Sequence, residues 1–272
     1  MKYIPDHDLH IHTCLSICSQ DKEQTPENIL KIAKEHGLKT ICLTDHYWDS
    51  KVPVNSRYNW WYERQNYDHI AKSLPLPEDD EIRFLFGCEV DLDADNKIGL
   101  PRERYDDFDF IIVSTTHFHH MIGKKWENCD NQTLANYWIE RMDALLDLDL
   151  PFERVGVAHP ACSLIRADSY EDYLKVLDLI PEKEMERIFT KAARVGMGIE
   201  LNFGNRVGKS DDEVERILRM FRIAKRCGCK FYFGSDAHNR INFSGKYEAF
   251  ANVIDLLDLK EEDKFTVPMK SL

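Results

Sequence analysis

Seven short apolar runs alternate with amphipathic segments along this chain, and this alternation restricts its fold more than any other feature. Most of the runs are rich in β-branched and aromatic side chains, as buried strands are. The runs cover residues 4–11, 39–44, 83–88, 108–113, 155–158, 197–201 and 230–233. They predict seven strands.

The segments between most of these runs have the spacing of helices with one buried face. One predicted helix begins at Thr25-Pro26, and others cover residues 131–146, 181–195, 211–227 and 246–257. Strands that alternate with helices favour one parallel α/β sheet, closed or nearly closed. An open, doubly wound sheet has the same periodicity and is the alternative.

Two segments interrupt the alternation. Residues 47–82 are long, polar and aromatic, and we expect a functional loop, a lid or hidden helices there. This aromatic insert either forms a wall that selects the leaving group of a substrate or a small hydrophobic core above the sheet. Residues 160–180 form a second, shorter interruption. Without repeats or a convincing linker, we expect residues 1–272 to form a single domain.

Composition excludes several classes of protein. The 272 residues carry a formal net charge of −12, so binding of a nucleic acid backbone by charge alone is not expected. With 43% hydrophobic residues the chain can form a full core. We expect no membrane span, since no apolar run approaches the roughly 20 residues that one needs. The beginning of the chain does not resemble a signal peptide, so we expect a cytoplasmic protein with reduced cysteines.

Every one of the seven runs ends in a side chain that can bind a metal ion. The sequences at these ends are DLHIHT (8–13), TDH (44–46), GCEVD (87–91), STTH (114–117), AHP (158–160), IELN (199–202) and GSDAH (234–238). In a parallel barrel the C-terminal ends of the strands converge on one face, where active sites form. Imidazole and carboxylate together favour Zn, Mn or Fe. The pattern therefore predicts a site for several metal ions.

In this order, the seven sequences resemble the PHP superfamily, the polymerase and histidinol phosphatase group of metal-dependent phosphoesterases. The resemblance extends over roughly residues 6–240. It implies a distorted (β/α)7 barrel, similar to a TIM barrel, with two or three divalent ions at its C-terminal face. The Cys-Pro-His that follows H-x-H in familiar histidinol phosphatases is absent here, so another small phosphomonoester is also open as the substrate.

The resemblance also implies a set of metal ligands. A first ion is expected on His10, His12, Glu89 and Asp236, and a second on Glu89, His117 and His159. A third is expected on His46, His238 and a residue of the loop after His12, for which Asp21 is the nearest suitable group. In the STTHFHH segment, we prefer His117 over His119 as the ligand.

The implied reaction is hydrolysis of a small phosphomonoester, with histidinol phosphate as a candidate, by a metal-bound hydroxide. Asp236 or His238 is expected to assist the leaving group as a general acid. Arg206 and Arg240 are the candidates for binding the phosphate.

Three other functions share parts of this pattern. A nuclease or phosphodiesterase of the same superfamily would use the same ions, but the acidic charge makes a nucleic acid partner unlikely. An amidohydrolase-like enzyme would bridge its metals with a modified lysine, where this chain has Glu89. A non-catalytic metal-binding protein would not need such a full ligand set. The oligomeric state cannot be read from the sequence.

Overall fold

Seven parallel β-strands form one sheet, in which each strand pairs with the next strand along the chain. The computed structural model describes residues 1–120, 129–202 and 210–269. The strands are β1 (His7–Ile11), β2 (Thr40–Leu43), β3 (Arg83–Asp91), β4 (Phe110–Ser114), β5 (Val155–Ala158), β6 (Gly198–Leu201) and β7 (Lys230–Phe233). Each predicted strand is therefore present.

The first and last strands meet and nearly close the sheet into a barrel. Just beyond the end of β7, the amide of Asp236 donates to the carbonyl of His10 at 2.8 Å. Further along the same pair of strand ends, the amide of His12 donates to the carbonyl of Ala237 at 3.1 Å. The expected distorted (β/α)7 barrel is confirmed, and the open doubly wound alternative is excluded by the sequential strand order. A register shift between Asp8 and Ile11 in β1 contributes to the distortion.

Helices surround the barrel in the described parts of the chain. They are α1 (Pro26–Glu35), α2 (Asn59–Glu63), α3 (Tyr67–Ile70), α4 (Asn131–Leu146), α5 (Tyr170–Leu179), α6 (Glu182–Val195), α7 (Asp211–Arg226) and α8 (Lys246–Leu256). Local chemistry sets their ends. For example, the Thr25 side chain caps α1, Pro26 occupies its first turn, and Gly37 follows with a positive φ of 67°.

The two interruptions of the sequence pattern both contain helices. The aromatic insert carries α2 and α3. Its buried Trp48 and Tyr62 pack edge-on with ring centroids 5.1 Å apart, and its buried Tyr47 joins the main core against Phe108. Trp60 stays half exposed. In residues 160–180 the structure differs from the sequence pattern, because the second half forms α5, which Ser169 caps. None of the described helices is long and apolar enough to cross a lipid bilayer.

Side chains from the strands fill the interior of the barrel. Leu9, Phe110, Ile112 and Tyr232 form this interior together with Phe265 of the C-terminal segment. The Phe265 amide donates to the Phe231 carbonyl at 2.8 Å, near the N-terminal end of β7. The lower part of the barrel is thus a packed apolar plug, and the opposite end is left for polar side chains.

The close approach of Gly156 to Tyr232 inside the barrel yields a stability prediction. A Cβ atom at Gly156 would lie 2.5 Å from Cε1 of Tyr232. Gly156→Ala should therefore lower the free energy of unfolding by about 1–3 kcal/mol, measured by urea denaturation. In a Tyr232→Leu background, where the aromatic ring is gone, the same change should cost less. Equal costs in the two backgrounds would contradict this packing.

Candidate metal centre

The C-terminal ends of the strands bring together most of the predicted metal ligands. His10 lies in β1 and Glu89 in β3, and both side chains are buried. The remaining residues follow directly after strands. They are His12 after β1, His46 after β2, His117 after β4, His159 after β5, and Asp236 and His238 after β7. Residues from the two ends of the chain, such as His12 and His238, therefore lie side by side because the strands are parallel.

Glu89 lies at the centre of the cluster. Its Oε2 atom is 3.4 Å from Nε2 of His10 and 3.3 Å from Nε2 of His12. Its Oε1 atom is 3.2 Å from Nε2 of His159. Asp236 faces the same histidines, with Oδ1 at 3.2 Å from Nε2 of His12. One carboxylate thus lies between two groups of imidazoles, as a bridging ligand would.

The outer nitrogen of each central histidine is held by a second residue. Nδ1 of His10 is 2.7 Å from the Glu200 carboxylate, which therefore accepts its hydrogen. Nδ1 of His12 is 2.8 Å from the Ser16 hydroxyl. Since that hydroxyl donates its own hydrogen to Asp45 at 2.6 Å, it must accept from His12. These bonds orient both rings so that their Nε2 atoms point inward, only 3.0 Å apart.

His117 and His159 are oriented in the same manner. Nδ1 of His117 lies 2.5 Å from the Asp91 carboxylate. Nδ1 of His159 lies 3.0 Å from the Thr116 hydroxyl, which donates to the His159 carbonyl. Together with Glu89, these two histidines offer ligand atoms within 4.8 Å of one another, as do His10 and His12 with Glu89. The two groups contain the residues predicted for the first and second sites, apart from Asp236, which faces the first group.

The charges of the cluster fit divalent cations. The ion pairs that Glu89 and Asp236 make within the described residues are all with histidines. Burial acts to raise the pKa of Glu89, but His46 and His10 hold it well below its usual range. Burial acts to lower the pKa of His12, but Asp236 and Glu89 raise it to about 9. Without a metal, protons on the imidazoles thus balance the charge of the carboxylates. The Nε2 atoms of His10 and His12 are 3.0 Å apart, and two N–H groups at this distance cannot hydrogen-bond to each other. Divalent ions would replace these protons.

A third group contains a residue that the sequence analysis did not propose. His12, Cys18, His46 and His238 offer ligand atoms within 4.8 Å of one another. The rings of His12 and His238 stack with centroids 4.0 Å apart, and those of His12 and His46 are 4.6 Å apart. Nδ1 of His238 is 2.9 Å from the carbonyl of Asp236, so it donates there and leaves Nε2 for the site.

Asp21 does not belong to this third group. Its Oδ2 atom accepts from the backbone and the guanidinium of Arg240, at 3.2 Å and 3.1 Å. The groups of metal-binding side chains found in the described ranges do not include it. The structure therefore brings Asp21 together with Arg240 and not with the predicted ligands His46 and His238. Arg240, whose side chain is half exposed, is paired with Asp21 and does not line the central cavity.

The structure also places the other candidates. His117, and not His119, lies with Glu89 and His159, although His119 lines the same cavity. The prediction for Arg206 concerns residues 203–209, which lie outside the described residues.

A cavity of about 410 Å³ opens above the cluster, a size that suits a small ligand. It is lined by candidate ligands and by aromatic residues of the insert. The aromatic residues are Tyr58, Trp60 and Trp61. Trp61 packs edge-on against His46, with ring centroids 4.6 Å apart. The insert therefore lines the cavity as well as packing on the barrel, and its selection of a leaving group stays a prediction.

The backbone is strained at two of the candidate ligands. His159 and Asp236 have positive φ angles of 29° and 52°, which residues other than glycine rarely adopt. Below them, Gly234 packs so closely against Glu200 and His10 that a Cβ atom there would overlap both. Such strain is typical of functional sites, where the surrounding structure enforces an unfavourable conformation.

Sequence reasoning missed Cys18 and Asp91. For Asp91 a signal existed, because residues two apart in a strand point to the same side, and Asp91 follows Glu89 by two. Its second oxygen accepts from the Tyr62 hydroxyl at 3.0 Å, and Tyr62 also contacts His120. Asp91 therefore connects the insert to His117. For Cys18 the signal was only the residue type, since the path of the loop cannot be read from spacing.

Comparison with known proteins is consistent with this geometry. The family model described as PHP domain matches residues 8–204, well over half of the chain. A protein named probable phosphatase from Thermoanaerobacter sp. (strain X514) is 24% identical over 258 residues, 94% of this chain and 87% of that protein. Another of that name, from Caldicellulosiruptor saccharolyticus, is 22% identical over 226 residues, 83% of this chain and 78% of that protein.

A solved structure shares the fold. It is the histidinol phosphate phosphatase from Lactococcus lactis subsp. lactis Il1403, in complex with zinc, L-histidinol and phosphate. The TM-score is 0.57 at 14% sequence identity, over 96% of this chain and 99% of that one.

The bond between Asp91 and His117 yields a prediction about metal affinity. Asp91→Asn removes the charge that orients His117, so zinc should bind about 10- to 100-fold more weakly at the second site. Competition with a chromogenic chelator measures this affinity. Asp95→Asn, an exposed change in the following loop, is the matched control and should leave it unchanged. Equal affinities in both variants would contradict the role of Asp91.

Proposed function

Because this chain belongs to the PHP domain family, we propose that it is a metal-dependent phosphatase that hydrolyses a small phosphomonoester. The observation that carries this proposal is the convergence of buried imidazoles on the Glu89 carboxylate at 3.1–3.4 Å. The likeness to proteins named probable phosphatase supports it.

Two ions would be held by the groups around Glu89. His10, His12 and Asp236 would bind the first ion, His117 and His159 the second, and Glu89 would bridge them. Zn, Mn and Fe all suit this mixture of imidazole and carboxylate, and zinc is present in the related Lactococcus lactis structure. Divalent ions in this position would activate water and neutralise phosphoryl oxygens.

The residues of the chain have separate tasks in this reaction. Glu200, Ser16 and Asp91 orient the histidines through their outer nitrogens, so that the inner nitrogens keep one arrangement. The described residues that line the cavity include no lysine or arginine. Arg240 is engaged by Asp21, so a phosphate-binding role for it is not part of the proposal.

The general-acid role expected for Asp236 and His238 fits the structure poorly. Burial and the neighbouring His12 lower the pKa of His238 to about 4. Burial acts to raise the pKa of Asp236, but His10 and His238 hold it well below its usual range. His238 is then a neutral imidazole whose Nδ1 hydrogen is donated to the Asp236 carbonyl, and Asp236 is held as a carboxylate, so neither offers an acidic proton to a leaving group. We assign both to metal binding, and the leaving group takes its proton from water.

The cavity favours a flat leaving group. Its wall is formed by Tyr58, Trp60 and Trp61, and Glu89 and Asp236 are the only carboxylates among the described residues that line it. A stacked aromatic or heteroaromatic ring suits such a wall. Histidinol phosphate, whose leaving group carries an imidazole ring, belongs to this class and is the first candidate. A long nucleic acid fits the cavity of about 410 Å³ less well.

Exchange of Glu89 tests the reaction. Glu89→Gln removes the shared charge, and kcat for phosphate release from histidinol phosphate or an aryl phosphate should fall by about 10³-fold or more. Glu103→Gln, an exposed change on the surface, is the matched control and should keep full activity. If the wild type, loaded in turn with zinc, manganese and iron, released no phosphate from either substrate, the proposal would be refuted.

Exchange of Trp61 tests the substrate class. Trp61→Leu removes a stacking surface, so KM for an aryl phosphate should rise about 2- to 10-fold. KM for a small aliphatic phosphate, measured with the same preparation, should change little. An equal change for both substrates would show that the wall does not select the leaving group.

A further inference from the structure

We infer that Cys18 is a thiolate ligand of a third metal ion, which it binds together with His46 and His238. This inference rests on the proposed function, because it adds an ion to the same centre. It also departs from the expected ligand set, in which Asp21 had this place. The consequence is a third site with a soft sulfur donor, and therefore a preference for a thiophilic divalent cation such as zinc.

The first argument is the grouping of the side chains. The sulfur of Cys18 and one nitrogen each of His12, His46 and His238 lie within 4.8 Å of one another, close enough to share one ion. Cys14, which lies in the same loop and is also exposed, belongs to none of the groups of metal-binding side chains in the described parts of the chain. Proximity to the histidines therefore distinguishes Cys18 from its neighbour.

The second argument is a buried nitrogen without a partner. His46 is only 5% exposed, and its Nδ1 atom makes no hydrogen bond. That atom is 3.1 Å from Oε2 of Glu89, but the contact lacks hydrogen-bond geometry. A buried polar atom without a partner costs about 1–3 kcal/mol. A cation beside it would satisfy the nitrogen and balance Glu89 at the same time.

The third argument assigns His12 to the first site. Its Nδ1 atom is engaged by Ser16, so only Nε2 is left for a metal. That atom is 3.0 Å from Nε2 of His10 and 3.2 Å from Oδ1 of Asp236, which we assign to the first ion. The third ion would then have three protein ligands. Zinc with three protein ligands keeps a position open for water or substrate, as in catalytic zinc sites.

The loop holds Cys18 in place from both sides. Before it, the Ile17 amide donates to the Gln65 side chain of the aromatic insert at 3.1 Å. After it, the Ser19 hydroxyl donates to the carbonyl of His238 at 2.6 Å. Cys18 is thus fixed relative to His238 and to the cavity, whose wall it shares with His46 and Trp61.

Cobalt substitution of the whole protein tests the proposal. Co²⁺ bound by a thiolate has a sulfur-to-metal charge-transfer band in the near ultraviolet, so the cobalt-loaded wild type should show this band. Cys18→Ser should abolish the band and lose one bound ion, and Cys18→His should abolish the band but keep the ion. The matched control, Cys14→Ser, should keep both the band and the ion.

Labelling with iodoacetamide and mass spectrometry give a second readout. Zinc should protect Cys18 from alkylation by about 10-fold or more relative to the metal-free protein, while Cys14 should react equally in both. A wild type that lacks the band, or a Cys18→Ser variant that keeps the band and all its ions, overturns the proposal. In either case phosphatase activity would still support the proposed function. Loss of that activity from the metal-loaded wild type would instead refute the proposed function.

Discussion

The burial of Glu89 among imidazoles is the interaction on which the rest of the centre depends. A carboxylate that is 1% exposed needs compensating charge, and four histidine rings supply its only ion pairs within the described residues. Each ring comes from a different place in the chain, apart from His10 and His12. The parallel barrel brings these rings together, because the C-terminal ends of all its strands lie on the same face.

The centre is built in layers. The inner nitrogens face the shared space, and the outer nitrogens are bound by residues that set each ring in one orientation. Glu200 serves two strands, since its carboxylate accepts from Nδ1 of His10 and from the amide of His159. The position of Glu200 explains why residue 234 is a glycine, because a Cβ atom there would overlap the Glu200 carboxylate. Strain at His159 and Asp236 is the local cost of this arrangement.

Periodicity predicted the seven strands and the order of the polar residues at their ends. The helix in residues 160–180 was missed because a loop separates it from β5, so its short apolar pattern did not stand out from the rest of the interruption. The long loop after His12 was the harder problem, because its path depends on contacts with Gln65 and His238 far along the chain. Composition and spacing contain no such information, so Asp21 was preferred where the fold brings Cys18 to the site.

The most direct measurement is a crystal structure of the metal-loaded protein with anomalous diffraction recorded at the zinc edge. The account predicts strong peaks on both sides of Glu89, one beside His10 and His12 and the other beside His117 and His159. A weaker or equal peak beside Cys18 would complete the centre. Density that lacks any anomalous peak within bonding distance of Glu89, in crystals grown with excess zinc, would contradict the central claim.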